Sequence, residues 1–309
     1  MRVPLIYLAV GAILYFALPD SYLYTLGFAM MFACLSASWD LVVGYTGQVN
    51  LGHTTFVGLG AYVASVLVTG RIGFSTDVAT SIAVSILISA LIGVAFGAIA
   101  LRLRGYYFAL VTAILPLVFM QTVFVWSDVF GGEEGFSIGL EKGIPPELRY
   151  PFALLLSFAI LTLLLIVVES RVGMRFMAIR DSEELAESLG INTTQYKIAS
   201  FTISSSIAGF VGASIVFYRL TVAPDLYGID LMLLIILASV IGGLGTVYGP
   251  FFFGIIIYLL KVLVIREILQ TLSLSLSDDI FLYAILILTA IAMPEGVAVK
   301  LRSILHRSS

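Results

Sequence analysis

The sequence predicts an all-α fold, a polytopic membrane helical bundle of about ten transmembrane helices, with eight or nine still admissible. Composition, charge and the spacing of apolar runs predict it. Of 309 residues, 60% are hydrophobic and 11% charged, and the mean hydropathy is +1.09. An ordinary soluble domain is roughly a quarter charged and less than half apolar. One core cannot absorb such an excess, because a soluble sphere must still cover itself with polar surface. The solvent is therefore lipid, which argues against a soluble enzyme and against a disordered chain. The net charge of −3 offers no basic excess for nucleic acid. A single cysteine, Cys34, leaves no material for a disulfide framework or a multi-cysteine metal site within the chain.

A membrane helix needs about 20 apolar residues. Ten stretches meet or approach this: 3–18, 22–43, 51–68, 78–101, 106–126, 152–168, 198–218, 229–241, 251–265 and 280–293. The first resembles a signal peptide only through Arg2. No small-x-small cleavage site follows it, and Pro19-Asp20 reads as a turn, so it counts as a span. The eighth and tenth are short, which suits broken, tilted or internally buried helices. Small residues allow close helix packing in lipid, and Gly93 with Gly97, then Ser204–Ser206 with Ala208, Gly209 and Gly212, read as packing seams. The many Phe and Tyr are expected to face lipid or its interface, with Tyr106, Tyr107 and Trp126 bracketing the fifth span. Gln121 and Thr122 fall within that span and are candidates for a pathway.

Orientation follows the basic residues. Alternating spans place Arg2, Arg102, Arg104, Arg171, Arg175, Arg180, Lys197, Lys300, Arg302 and Arg307 on one side. Arg71, Lys142, Arg149, Arg219 and Arg266 fall opposite, and Lys261 lies inside a span. The richer side is expected to be cytoplasmic, with both termini there and the acidic loop 127–150 outside. The expected localisation is the cell membrane, in the lipid bilayer. The whole chain, 1–309, reads as one transmembrane domain, with 169–197 a cytoplasmic loop and 300–309 a cytoplasmic tail.

Three segments interrupt the apolar pattern. The first is GYTGQVNLGHTTFVGLGAY, 44–62. Irregular backbone at membrane depth survives only where protein or a water-filled cavity satisfies it. The segment is either a broken helix lining a path for a polar solute or a turn followed by a glycine-rich packing helix. In the first case Gln48, Asn50, Thr54 and Thr55 would offer amides and hydroxyls. His53 fits a helix-start residue better than a metal ligand, because no carboxylate or cysteine stands beside it at ligand spacing. Asp40, near a helix end, suits a structural cap as well as a functional acid.

The second is the charged run 169–197, ESRVGMRFMAIRDSEELAESLGINTTQYK. It predicts a short helix, 182–189, with Asp181 as cap, Glu184 completing a capping box, and Gly190 as the stop. Leu185 and Leu189 share a face with Ala186 beside them, so a helix too short to stand alone would be stabilised by docking that edge. It is either a solvated connection or a plug gripped by another protein. The third is GGLGTVYGP, 242–250, a glycine turn between two spans; no Lys-Ser or Lys-Thr follows to make it a phosphate loop. Neither an H-E-x-x-H pair nor a cysteine-rich ligand set occurs in the sequence.

Taken in order, GYTGQVNLGHTTFVGLGAY, LRLRGYYFALVT, GMRFMAIRDSEELAESLGINTTQYKIASFTIS and GGLGTVYGP resemble the branched-chain amino acid ABC transporter permeases, and the LivM-type subunit more closely than the LivH type. The likeness runs from Gly44 to Pro250. It implies that 178–192 is the cytoplasmic loop that docks on an ATPase, with Glu184, Ala186 and Gly190 at its signature positions. Leu185 stands where such loops often carry Ala. Arg180, Asp181, Glu183, Glu184, Leu185, Ala186, Leu189 and Gly190 are then the coupling residues. The resemblance further implies a homologous LivH-type permease, two ABC ATPase subunits and an extracytoplasmic substrate-binding protein as partners. It implies no cofactor on this chain, with ATP and Mg on the ATPase subunits, and Leu, Ile or Val as the solute. Relatives carrying urea or short amides, a stand-alone secondary transporter and a non-transporting assembly subunit are the alternatives. The secondary transporter finds little support, since Asp40 and Lys261 are far apart and near span ends.

Overall fold

A computed structural model of the chain describes residues 2–100 and 106–265, with 283, 284 and 288. Helices dominate. They are α1 (Arg2–Ala17), α2 (Asp20–Thr46), α3 (His53–Thr69), α4 (Val78–Ala100), α5 (Tyr106–Val125), the short α6 (Ser127–Phe130), α7 (Pro146–Glu169), α8 (Arg171–Asp181), α9 (Glu183–Ser188), α10 (Thr193–Arg219), α11 (Ile229–Gly242) and α12 (Tyr248–Leu259). A π-helical turn carries α12 on to Ile265. Nine of the ten apolar stretches coincide with helices. By length and hydropathy α2, α4, α5, α7 and α10 suffice to cross a membrane, while α1, α3, α11 and α12 are shorter apolar helices. The tenth stretch, Arg102, Arg104 and the tail 300–309 lie outside the described residues.

The chain forms two compact units. One comprises residues 1–40, 147–166 and 233–309; the other comprises 41–146 and 167–232. In the first, α1 and α7 are tied by polar contacts. The Tyr7 hydroxyl lies 2.7 Å from Ser157 Oγ, and the Tyr150 hydroxyl donates to the Gly11 carbonyl at 2.9 Å. The Tyr7 ring meets Phe251 of α12 edge-on at 5.1 Å. In α7 Ala153, Leu156, Ile160 and Leu164 are buried while Leu155, Leu163 and Ile166 are exposed, the helical period of a helix covered on one side.

In the second unit α3 is the central helix. Every residue from His53 to Tyr62 is buried, because α4, α5 and α10 surround it. Small side chains allow this. In α4 the buried residues recur every four positions from Ser81 through Ser85, Ser89 and Gly93 to Gly97, with Ala100 after them, a ridge of small side chains. Gly93 rests against Ser205 of α10, so the predicted glycine seam is real and the serines extend it. Asp77 caps α4: its carboxylate accepts from the Thr80 amide at 3.1 Å and the Thr80 hydroxyl at 2.5 Å, and these bonds hold its pKa below the usual carboxylate range.

The aromatic residues correct one expectation. Tyr106, Tyr107 and Trp126 are exposed as an interfacial belt requires, but Phe56, Phe108, Phe176, Phe201, Phe217, Phe251, Tyr62 and Tyr218 are fully buried. Glycine- and serine-faced helices leave gaps between their backbones, and large rings fill them. Phe201, for example, takes Phe56 and Phe108 edge-on at 5.5 and 6.1 Å.

Outside the helices, a two-residue antiparallel pair joins β1 (Phe136–Ser137) to β2 (Thr221–Val222). The loop that carries β1 also serves α3: Lys142 Nζ donates to the Val68 carbonyl at 2.5 Å, covering the carbonyl end of the helix. Arg71, just beyond that end, lies 3.9 Å from the centre of the Phe136 ring and donates to the carbonyls of Asp128 and Val129.

Candidate functional site

The first broken segment is unwound between Thr46, where α2 ends, and His53, where α3 begins. Its position is set by α5. Pro116 has no N–H to give to the Thr112 carbonyl one turn earlier, and the loop packs at that point. The Leu51 amide donates to Thr112 Oγ1 at 3.1 Å, and Gly52 abuts the Thr112 carbonyl oxygen so closely that a Cβ would collide with it. The Gly52 amide is satisfied locally by Asn50 Oδ1 at 2.9 Å. A Gly52→Ala variant is therefore expected to lose about 1–3 kcal/mol through overpacking against backbone. A fall in melting temperature in detergent checks it, and an unchanged melting temperature would remove the claim.

Asn50, Thr54 and Thr55 are buried and Gln48 is half-buried. Thr54 Oγ1 donates to the Tyr227 carbonyl at 3.4 Å, whereas the Thr55 hydroxyl has no hydrogen-bond partner among the described residues. Tyr227 ends a 3-10 turn, Pro224–Tyr227, and its ring lies directly on Gly58. Tyr62 stacks on Tyr227 at 5.7 Å and 15°, Phe119 stacks on it at 6.4 Å, and Phe130 meets Tyr62 edge-on. Thr54, Gly58 and Tyr62 recur every four residues, so one face of α3 presents hydroxyl, backbone and aromatic ring in turn. Gln121 and Thr122 are not part of this group. Both are exposed on α5, and the Thr122 hydroxyl donates to the Val118 carbonyl of its own helix. Thr112, Tyr62 and Tyr227 were not singled out from the sequence. Nothing in the sequence singles out Thr112; the buried face Phe108–Thr112–Leu115–Pro116 of α5 reveals it.

The GGLGTVYGP segment is a turn between α11 and α12, as predicted, and its partner is Asp40. The Asp40 carboxylate accepts from the amides of Gly245 at 2.7 Å, Thr246 at 3.2 Å and Val247 at 2.9 Å. Asp40 is fully buried. Three amides at the start of α12, with the positive end of its dipole, satisfy a charge that lipid or an apolar core would expel. This decides for the structural reading of Asp40, a cap supplied from a distant helix. Val247 sits at φ 56°, unusual for a β-branched residue, and its amide bond to Asp40 helps to hold it there.

The charged segment forms two short helices. Asp181 is the last residue of α8, not the cap of α9. Ser182 is the cap, its Oγ accepting from the Leu185 amide at 3.3 Å. This corrects the predicted capping box: serine, one position later, turns the chain between α8 and α9 and leaves Asp181 beside Arg180 at 3.4 Å. Gly190 stops α9 at φ 82° as expected. The helix is fastened inward by its acidic side. Glu183 Oε1 accepts from Lys197 Nζ at 2.6 Å, Glu187 Oε1 accepts from Thr193 Oγ1 at 2.7 Å, and Ala186 is buried. Leu185 and Leu189 point away, 60% and 73% exposed, and Glu184 is exposed beside them. Arg180 faces its own chain, Nη1 donating to the Gly44 carbonyl at 2.8 Å. Among the described residues no group of His, Cys, Asp and Glu is placed to hold a metal ion.

Apolar helices with polar, glycine-broken interiors and a short, projecting amphipathic helix define a multi-pass membrane permease. Residues 21–290 match the family described as branched-chain amino acid transport system / permease component, and the chain belongs to that family. It is 25% identical over 297 residues to the high-affinity branched-chain amino acid transport system permease protein LivM of Salmonella typhimurium, covering 87% of this chain and 68% of that one. The LivM protein of Escherichia coli K12 matches to the same extent. The LivH permease protein of Escherichia coli K12 is 25% identical over 290 residues, covering 86% of this chain and 90% of its own. No solved structure matches the chain.

Proposed function

We propose that this chain is one permease subunit of an ATP-driven importer for Leu, Ile and Val. It pairs with a homologous, LivH-type permease, and separate ATPase subunits carrying ATP and Mg supply the energy. An extracytoplasmic binding protein delivers the solute. Both termini and the 169–197 segment lie on the cytoplasmic side in this reading, and the chain itself performs no hydrolysis. The solute class rests on the names of the LivM and LivH relatives.

The observation that carries the coupling role is the division of labour in α9. Ala186, Glu183 and Glu187 hold it to the start of α10, while Leu185 and Leu189 stand exposed on the other side. A six-residue helix with its own side fully tied down and two leucines outward has the form of a knob for a groove in another subunit. ATP-driven closure of the ATPase pair would move that knob, and the permease would favour one opening because that arrangement docks better. In this reading the solute's path runs along Gln48, Asn50, Thr54 and Thr55 of the broken segment. Amides at the start of α3 would supply donors for a carboxylate there.

Leu185→Pro tests the coupling role. It removes the amide that Ser182 caps and disfavours helical backbone at Glu184, in the first turn of α9. The variant is expected to insert normally and to lose nearly all ATP-driven leucine uptake. Uptake at the wild-type rate by a stably inserted Leu185→Pro protein would refute the role.

A further inference from the structure

The end of α2 leaves backbone carbonyls that its own helix cannot satisfy. The Val43 carbonyl accepts from the Gly47 amide at 3.1 Å, and Gly47 turns the chain out of the helix at φ 71°. The Gly44 carbonyl is taken by Arg180 Nη1 at 2.8 Å, from α8. The aliphatic stem of Arg180 lies over Gly47, its Cγ 3.4 Å from where a Cβ would stand. A guanidinium thus sits at the negative end of α2 and covers the first residue of the unwound loop. On its other side Arg180 is two residues from α9, joined through Ser182, which ends α8 and caps α9 at once.

We infer that Arg180 is a positioning residue that transmits displacement of α9 to the α2–α3 break, not a contact to the ATPase. This rests on the coupling role proposed for α9. The geometry gives α9 two attachments within its unit. Lys197 and Thr193 tie it to α10, and α10 packs along α3 and α4. Arg180 ties it to the loop that carries Gln48, Asn50 and Leu51. A shift of α8 and α9 drags the Gly44 carbonyl through one charged hydrogen bond, or breaks that bond and frees the carbonyl end of α2. Either event changes the backbone that leads into Thr54 and Thr55. The Arg180–Asp181 pair does not compete for this role, because it is 3.4 Å long and its carboxylate is 71% exposed.

The test uses the full transporter, with partner permease, ATPase subunits and binding protein, reconstituted in liposomes with radiolabelled leucine. Arg180→Gln, Arg180→Lys and Leu185→Pro are compared for ATPase co-purification, ATP hydrolysis and leucine accumulated. Arg180→Gln is expected to retain its ATPase subunits and hydrolyse ATP while leucine taken up per ATP falls about tenfold, the factor carried by a charged hydrogen bond. Arg180→Lys keeps a cationic donor and should recover part of that ratio. Loss of the ATPase subunits from Arg180→Gln would place Arg180 in the docking face and overturn the inference, and so would an unchanged ratio. If Leu185→Pro couples normally, the role of α9 itself falls. If Leu185→Pro uncouples and Arg180→Gln does not, only the Arg180 inference falls. Should Arg180→Gln fail to assemble, amide exchange on the wild-type complex decides. Exchange at 47–52 that changes when a non-hydrolysable ATP analogue is added supports the link, and exchange that ignores the nucleotide overturns it.

Discussion

Asp40→Ala is expected to lose about 3–5 kcal/mol of stability, the cost of leaving buried partners of a charge unmatched. Three amides, those of Gly245, Thr246 and Val247, would lose their acceptor, and the last of them is buried. Val247 would also lose one of the bonds that hold its unfavourable backbone. The turn between α11 and α12 should open, and with it the start of α12. Thermal unfolding in detergent reads the loss directly, and leucine uptake should fall because less folded protein remains. Asp40→Asn keeps one carbonyl oxygen and should lose less than Asp40→Ala. If Asp40→Ala unfolds within about 1 kcal/mol of the wild type, the carboxylate is not what holds this turn.

Gly60→Val should be comparably severe for a different reason. A Cβ at Gly60 would fall on the backbone of Gly209, with the Gly209 Cα 2.6 Å away. Backbone cannot rotate aside as a side chain can, so α3 and α10 must separate. That separation would also loosen Gly212 from Val57 and Gly209 from Ser89, contacts that join α3, α4 and α10. Overpacking of this kind costs about 3 kcal/mol or more when both neighbours are main chain. Folded yield after membrane extraction is the measurement. Wild-type yield and melting temperature for Gly60→Val would show that the helices are not in contact there.

These two sites show where sequence reading succeeds and where it stops. The helices were legible because an apolar run of the right length in lipid has almost no alternative to helix. Hence α1 to α5, α7 and α10 to α12 lie where the apolar runs place them. The seam at Gly93 was legible from spacing, and its extension through Ser81, Ser85 and Ser89 would have been, since the period is four throughout. The α9 helix was legible in extent, but its cap was misplaced by one residue. Asp and Ser both cap well, and only backbone conformation decides between adjacent candidates.

Local chemistry therefore determined that this chain is a helical membrane protein, that its apolar pattern is interrupted within 44–62 and 242–250, and that it carries a short amphipathic helix within 169–197. Tertiary structure alone decided which distant groups meet. Asp40 with the amides of Gly245 to Val247, Arg180 with the Gly44 carbonyl, Lys197 with Glu183 and Tyr227 with Gly58 are such pairs. The physical reason is the difference between a preference and a partnership. Burying a helix in lipid depends on each residue's own side chain, whereas satisfying a buried charge or a freed carbonyl depends on where another part of the chain arrives.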